Sequence, residues 1–469
     1  MPHEPAPQRT MPDPAALPRP WIGSYPPGVP PRYPIPDVAV TRLLDDAARD
    51  FPNVTATWFW GATLSYAELL RRADRLAAAF LALDVTPGSR VGVVLPDVPA
   101  RPIVLFATWR VGAVAVPVDA DASEADLHHD LDCTGCVAAV CLSAVVPRVN
   151  AVRGRLPALR HVVATGLEDW LPFPRDRLFP MTGRRSGQYY RLRPDDDVEG
   201  LTALVERHRR VAGQVVVAPD DPAAIVHAEG PGRAHRAVML SHRNLLASAL
   251  QVRLWIPDIQ SGRERIVVAG TVPGAGGVTV GALTATLTAA TLVLAPADGE
   301  PLRATVERTR PTILVGCPAA FGHLAQTGAR GLDAARVCLV LGALTSDLVG
   351  WLREHSGARL RAAYGPGRGP MTHANPVYGP PVGGSIGLPM TETVAAVVDA
   401  DDPTRVLPPG SLGELIVHGP QIPGGYWRQP GPLAHRLHDG WLRTGDPATM
   451  DSDGWFVVTD QRRWDRSGQ

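Results

Sequence analysis

Residues 223 to 242 read AAIVHAEGPGRAHRAVMLSH, and the fold follows from how this stretch divides. Its opening, Ala223-Ala224-Ile225-Val226, is small or apolar and β-prone, which suits a short buried strand. A loop follows, Glu229-Gly230-Pro231-Gly232-Arg233, rich in glycine and interrupted by proline. A second apolar run reaches Leu240, and Ser241 or His242 opens a helix. Strand, glycine loop and helix is an arrangement in which backbone N–H groups cradle phosphate oxygens. The pattern formed by Gly230 and Gly232 fits an ordinary tight turn equally well.

Outward from this stretch the chain alternates. On the N-terminal side, Ser65 caps a helix from Tyr66 to about Leu83, with Glu68 completing a capping box. Buried strands are expected within 88–96, 113–118 and 137–142, separated by helices over 99–110 and 123–132. On the C-terminal side the alternation resumes with strands near 266–272, 291–294, 312–315, 337–341 and 360–363. Near-continuous apolar strands alternating with helices predict an α/β fold of two doubly wound sub-domains with parallel sheets. Between about 165 and 219 the rhythm lapses. There GLEDWLPFPRDRLFPMTGRRSGQYYRL is aromatic and basic without a period, and fits either a packed insertion or a surface excursion touching lipid.

Several stretches resemble adenylate-forming enzymes, specifically the N-terminal domain of long-chain fatty acyl-CoA synthetases. The family's phosphate loop reads roughly YTSGTTGxPKGxxLSH, and this chain keeps Gly230 and the helix start LSHRNL. Pro231 and Gly232 replace two threonines, Arg233 a glycine and Arg236 the lysine, while Glu229 brings a carboxylate to the phosphate side. The stretch AAYGPGR resembles EGYGxTE: Tyr364 matches the ring that stacks on adenine, and Arg368 replaces the Mg²⁺-holding glutamate. Asp446 in TGD matches the carboxylate that binds the ribose hydroxyls. From about 384 to 460 the framework motifs GGSIGLP, LPPGSLGELIVHGPQIPGGYW, DGWLRTGD and MDSDGWFVV imply a small distorted β-barrel. The resemblance thus divides the chain into a proline-rich leader over 1–20, the synthetase-like domain over 21–460 and a truncated hinge over 461–469. It also implies that the mobile C-terminal lid domain is absent.

Composition sets the outer limits. The 469 residues carry no formal net charge and no long basic run, which argues against nucleic acid or an anionic membrane as partner. No apolar run approaches the ~20 residues of a transmembrane helix. The proline-rich N-terminus lacks the apolar core of a signal peptide, so a cytoplasmic location is expected. The five cysteines are expected to be reduced and buried, including the isolated pair Cys133 and Cys136. All 46 basic residues are arginine, so no step can use an ε-amino group.

The cofactor-binding candidates are therefore Gly230, Gly232, Arg236, Tyr364 and Asp446, with Arg236 and Arg368 at altered catalytic positions and no metal ligand assigned. By resemblance the nucleotide is ATP or AMP. The charge reversal at Arg368 disfavours Mg²⁺, and the absent lid disfavours CoA. The resemblance implies an ancestral ligase that activates a fatty acid to acyl-AMP and acyl-CoA, here impaired or inactive. An adenylating ligase using arginine for lysine, and a non-catalytic acyl- or nucleotide-binding partner of another biosynthetic protein, stay open beside it. The expected partners are a fatty acyl ligand and a protein that supplies the lid.

Overall fold

The helix His242–Trp255 is the hub of the molecule. Ser241 caps it: its Oγ accepts from Asn244 N (3.2 Å), while Asn244 Oδ1 accepts from Ser241 N (2.9 Å). Three of its polar side chains then reach into other parts of the chain. Asn244 Nδ2 donates to the carbonyls of Pro420 and Ile422, Gln251 Nε2 to that of Thr391, and Trp255 Nε1 to that of Asn375. Gln251 and Trp255 are buried, so these bonds replace lost hydration and fix how the elements meet. The computed structural model describes residues 11–208, 215–228, 236–269, 277–295, 299–342, 344–366, 369–428 and 437–459.

Two large sheets form the α/β body. In the eight-stranded sheet the order is Gly425–Tyr426, Arg236–Ser241, Pro222–Ala228, Val114–Pro117, Arg90–Val94, Ala138–Leu142, His161–Thr165, Glu199–Gly200. The strands from Pro222–Ala228 to Glu199–Gly200 pair in parallel. In the nine-stranded sheet the order is Leu388–Pro389, His373–Ala374, Arg359–Tyr364, Val337–Leu341, Ile313–Gly316, Arg265–Ala269, Thr291–Val293, Thr55–Phe59, Ala62–Ser65. Its interior is parallel and both its margins are antiparallel. The interior strands are apolar and buried, as expected for sheets covered by helices on both faces.

The capping box at Ser65 and Glu68 forms as read, and starts the helix Tyr66–Ala82. The hairpin Thr55–Phe59 with Ala62–Ser65, however, joins the second sheet, although it precedes every strand of the first.

A smaller antiparallel sheet of five strands stands where the β-barrel is expected. Val394–Val398, Gly413–His418, Trp441–Met450 and Leu437–His438 follow in order, and Phe456–Val458 pairs with Trp441–Met450. Among the described residues its outer strands do not pair to close a barrel. Residues 11–20, read as leader from the sequence, lie against this sheet. Met11 is buried, and Trp441 Nε1 donates to the Pro12 carbonyl (2.9 Å). The buried Trp21 follows, edge-on to Phe456. A proline-rich segment has few N–H groups to satisfy and can lie flat on such an apolar face.

Candidate nucleotide site

The motif Thr444-Gly445-Asp446 is a bulge in the long strand Trp441–Met450. Pairing with the strand Gly413–His418 shifts register between Glu414, opposite Pro447, and Ile416, opposite Arg443. The extra residues leave the ladder, and Gly445 takes φ +75°, which glycine adopts without strain. Side chains lock the excursion. Thr444 Oγ1 donates to the Leu415 carbonyl (2.9 Å) and accepts from Asp446 N (3.1 Å). Glu414 Oε1 accepts from Gly445 N (3.0 Å), and its Oε2 accepts from Arg443 Nε (3.0 Å) and Nη2. The sequence reading picked out Asp446 but missed Glu414 and Arg443. Their only sequence signal was a glycine between two polar residues inside a strand.

Tyr364 meets the bulge from the other side. It is the last residue of the parallel strand Arg359–Tyr364, so it lies at the carboxyl end of that sheet, where ligands bind in open α/β folds. Its hydroxyl donates to Asp446 Oδ2 across 2.5 Å. The ring is only 3% exposed, and burial beside this carboxylate raises the phenol's pKa. Asp446 is half-buried.

His373 packs edge-on against Tyr364 and against Phe456, with ring centroids 5.9 and 4.9 Å away. Burial lowers its pKa to about 3, which keeps the imidazole neutral. Nδ1 lies 3.0 Å from Thr372 Oγ1, and Nε2 has no hydrogen-bond partner among the described residues. A neutral histidine inside an aromatic cluster fills space, and nothing in the sequence distinguished it.

The central stretch is a β-hairpin. Pro222–Ala228 and Arg236–Ser241 pair antiparallel from Pro222 opposite Ser241 to Ala228 opposite Arg236. Arg236 thus opens the second strand. Gly230 and Gly232 lie between the strands, outside the described residues, as does Arg368. The second apolar run of the sequence reading is this strand, and the helix starts at His242 with Ser241 as its cap. The loop does not lead into the helix, since six strand residues separate them, a span of roughly 20 Å. The partial charge at a helix N-terminus fades within a turn, so it does not reach the end of the hairpin.

The paired cysteines do not form a site. Cys133 Sγ lies 3.4 Å from His227 Nε2, whereas Cys136 Sγ lies 3.2 Å from Thr134 Oγ1. Burial pushes the two thiols up to about 11 and about 12. Among the described residues no group of three or more His, Cys, Asp or Glu is placed to hold a metal ion. The cavity between the helix Ala100–Arg110 and the turn Gly277–Leu283 is about 20 Å³, enough for a water but not an acyl chain.

Residues 44–427 match the model of a family described as AMP-binding enzyme. The chain belongs to the AMP-binding enzyme family. It is 28% identical over 463 residues to a long-chain-fatty-acid–CoA ligase of Bacillus subtilis, covering 95% of this chain and 80% of that protein. A feruloyl-CoA synthase of an Amycolatopsis species is 30% identical over 427 residues, covering 88% and 77%. The crystal structure of an anthranilate CoA ligase in complex with anthranoyl-AMP superposes with a TM-score of 0.78 at 17% identity, over 92% of this chain and 79% of that one. That of a long-chain-fatty-acid–CoA ligase from Archaeoglobus fulgidus gives 0.74 at 21% identity, over 93% and 86%. The adenylate-forming fold of this AMP-binding family member thus agrees with the α/β architecture read from its sequence. No described helix is long and apolar enough to cross a membrane.

Proposed function

We propose that this AMP-binding family member recognises the nucleoside part of AMP or an acyl adenylate and has lost most of the chemistry that makes one. The observation that carries the reading is the bulge at Gly445. It holds the Asp446 carboxylate half-buried beside Tyr364, at the carboxyl end of a parallel sheet. A carboxylate held this way suits the two adjacent hydroxyls of a ribose, as the family motif implies. Tyr364 orients the carboxylate and closes the apolar side. A bound nucleotide supplies the adenine ring and the phosphates, and Arg236, which opens the second strand of the hairpin, is the residue proposed to meet phosphate.

The loss of chemistry rests on residue types. Acyl adenylation needs cationic and metal stabilisation of the α-phosphorus as pyrophosphate leaves. This chain contains no lysine, and Glu229 adds negative charge beside the hairpin. The charge reversal at Arg368 is the sequence feature that speaks against Mg²⁺. The resemblance to fatty-acid ligases supports a medium- or long-chain acyl group as the other half of the ligand. Residues 21–460 are taken in this proposal as one synthetase-like domain. Calorimetric titration tests the reading. AMP or a non-hydrolysable acyl-AMP mimic is expected to bind at least as tightly as ATP, with and without Mg²⁺. ATP binding that is much tighter and needs Mg²⁺ overturns it.

A further inference from the structure

We propose that residues 171–193 form a docking surface for an anionic phospholipid bilayer. The exposed large apolar side chains of residues 171–193 are Phe173 (81%), Met181 (72%) and Leu178 (55%). Leu178 and Met181 are one helical turn apart on Arg175–Gly183, and Phe173 lies just before that helix. Phe179, on the opposite face, is buried and anchors the helix to the body. A helix that buries one aromatic and shows its other apolar residues to solvent loses hydrophobic stabilisation unless something covers them.

Charge says what covers them. Within 171–193 there are six arginines (175, 177, 184, 185, 191 and 193) against the single Asp176, in a chain with no net charge. All six arginines are exposed, whereas Asp176 is half-buried. Among the described residues none of the six forms an ion pair, although the chain has many elsewhere. Three acids follow, but Asp196 accepts from the Tyr190 hydroxyl and Arg193 N, and Asp197 pairs with Arg153. Arg177 and Arg184 lie two turns apart, flanking Met181 on the exposed face.

Apolar side chains ringed by guanidinium groups that form no ion pair among the described residues match the boundary between acyl chains and anionic headgroups. A protein partner of the same character would need an apolar patch bordered by acids, and nothing in the structure points to one. A cavity of about 550 Å³ adjoins the helix, lined by Arg184, Tyr189, Tyr190, Arg191 and Arg193. Arg184 lies over the Tyr189 ring and Arg193 over the Tyr190 ring, at 5.6 and 6.0 Å. That lining suits a phosphodiester headgroup, with tyrosines at the interfacial depth they favour. The sequence reading marked this stretch as aromatic and basic, while the neutral charge of the whole chain argued against an anionic membrane.

The surface is fixed to the body, so docking would orient the enzyme fold on the bilayer. The Arg175 guanidinium donates to the Trp60 carbonyl (3.1 Å), and Arg72 stacks over Trp170 just ahead of the insertion.

Sedimentation of the full chain with vesicles tests the proposal. The protein should partition onto vesicles of equal phosphatidylglycerol and phosphatidylcholine, less so as salt rises, and poorly onto phosphatidylcholine alone. Each arginine near an anionic surface raises partitioning by roughly fivefold. The variant R177E/R184E/R185E should therefore bind at least about a hundredfold more weakly, while R177K/R184K/R185K should bind like the parent. F173S/L178S/M181S should lose binding with its circular dichroism unchanged. Equal binding to neutral vesicles overturns the proposal, as do parental binding by the charge-reversed or serine variants, or displacement by millimolar glycerol 3-phosphate, which would make the cavity a soluble-phosphate site. The assay contains no nucleotide, so its failure and the failure of the nucleotide reading are separate results.

Discussion

The Tyr364 hydroxyl donates to Asp446 Oδ2 at 2.5 Å, joining the last residue of a parallel strand to a bulge in the small antiparallel sheet. The two residues are 82 positions apart in the chain. If this carboxylate receives a ribose, Asp446→Ala removes charge-assisted hydrogen bonds that are commonly worth about 1.5–3 kcal/mol. AMP affinity should fall by roughly ten- to a hundredfold, measured by calorimetry. Tyr364→Phe removes one donor and keeps the ring, so it should change affinity by less than about tenfold. Unchanged AMP binding by Asp446→Ala would place the nucleoside elsewhere.

Glu414 is expected to matter almost as much, without touching ligand. Its carboxylate is buried, takes the Gly445 amide on one oxygen and Arg443 on the other, and so holds the bulge in shape. Glu414→Ala leaves Arg443 without this partner in a largely enclosed place and frees the bulge. Breaking such a pair typically costs about 3 kcal/mol or more. Thermal melting should show that loss, and AMP affinity should fall with it. Glu414→Gln keeps an acceptor for Gly445 N and should recover most of the affinity while remaining less stable. Parental melting by Glu414→Ala would show that the backbone holds the bulge unaided.

How much of this was legible follows from the range of each interaction. Ser65 with Glu68, and Ser241 with Asn244, are contacts within one helical turn, so the capped helices could be read directly. The parallel strands announced themselves as apolar runs. What stayed hidden depends on pairing between distant segments. Thr55–Phe59 carries no signal of its partner, and it pairs in parallel with Thr291–Val293, far along the chain. Glu229 to Arg233 read as a loop, and the apolar run after it was given no strand partner. The antiparallel return of Arg236–Ser241 onto Pro222–Ala228 is a choice of partner that period alone does not reveal. Asp446 was found through its motif, but the bulge that gives the motif its meaning needed Glu414, 32 residues upstream.

Two buried histidines should make the fold acid-sensitive. Burial lowers His242 to about 4 and His373 to about 3, against 6.5 for the free side chain. The unfolded chain takes up protons near pH 6.5, whereas the folded chain refuses them until much lower pH. The unfolded state therefore binds more protons in that window, and stability rises with pH across it. The full contribution is present above about pH 6.5 and is lost as pH falls toward 4, with each histidine costing on the order of 3 kcal/mol. Melting temperature should be nearly flat from pH 7 to 8 and drop steeply below about pH 6. His242→Gln should flatten that drop, and a parental profile in this variant would assign the sensitivity to other groups.

Gly387 should tolerate no side chain. It adopts φ +101°, and a Cβ there would lie 2.0 Å from the Ala374 carbonyl carbon, closer than any relaxation of side chains could relieve. The conformation and the clash both fall on the link between the nine-stranded sheet and the small sheet, where Phe456 N donates to the Gly387 carbonyl at 3.3 Å. Gly387→Ala should cost several kcal/mol, at least about 3, by strain and displaced backbone together. Soluble yield and melting temperature should both fall. Gly350→Ala is the control, because it sits mid-helix with open space around its Cβ and should be neutral or stabilising by up to about 1 kcal/mol.

The protein as it stands should form no detectable acyl-AMP or acyl-CoA from fatty acids. One well-placed charged donor is commonly worth about 3 kcal/mol in the transition state, or roughly a hundredfold in rate. By the family resemblance Arg236 stands at the position of the phosphate-loop lysine, and its planar fork would meet a phosphate differently from a point charge. Arg368 stands where a metal-holding glutamate is expected, and a guanidinium there repels the cation it replaces a ligand for. Each loss is thus worth roughly a hundredfold in rate, and the two together up to about ten-thousandfold, although such losses need not add. Pyrophosphate release and thioester formation over medium- and long-chain acids, with and without a lid-bearing partner protein, provide the measurement. Turnover by the chain alone that is abolished by Arg236→Ala would replace the binding-protein reading with that of a ligase running on arginine. Turnover restored by Arg236→Lys with Arg368→Glu would show that these two positions hold the lost activity.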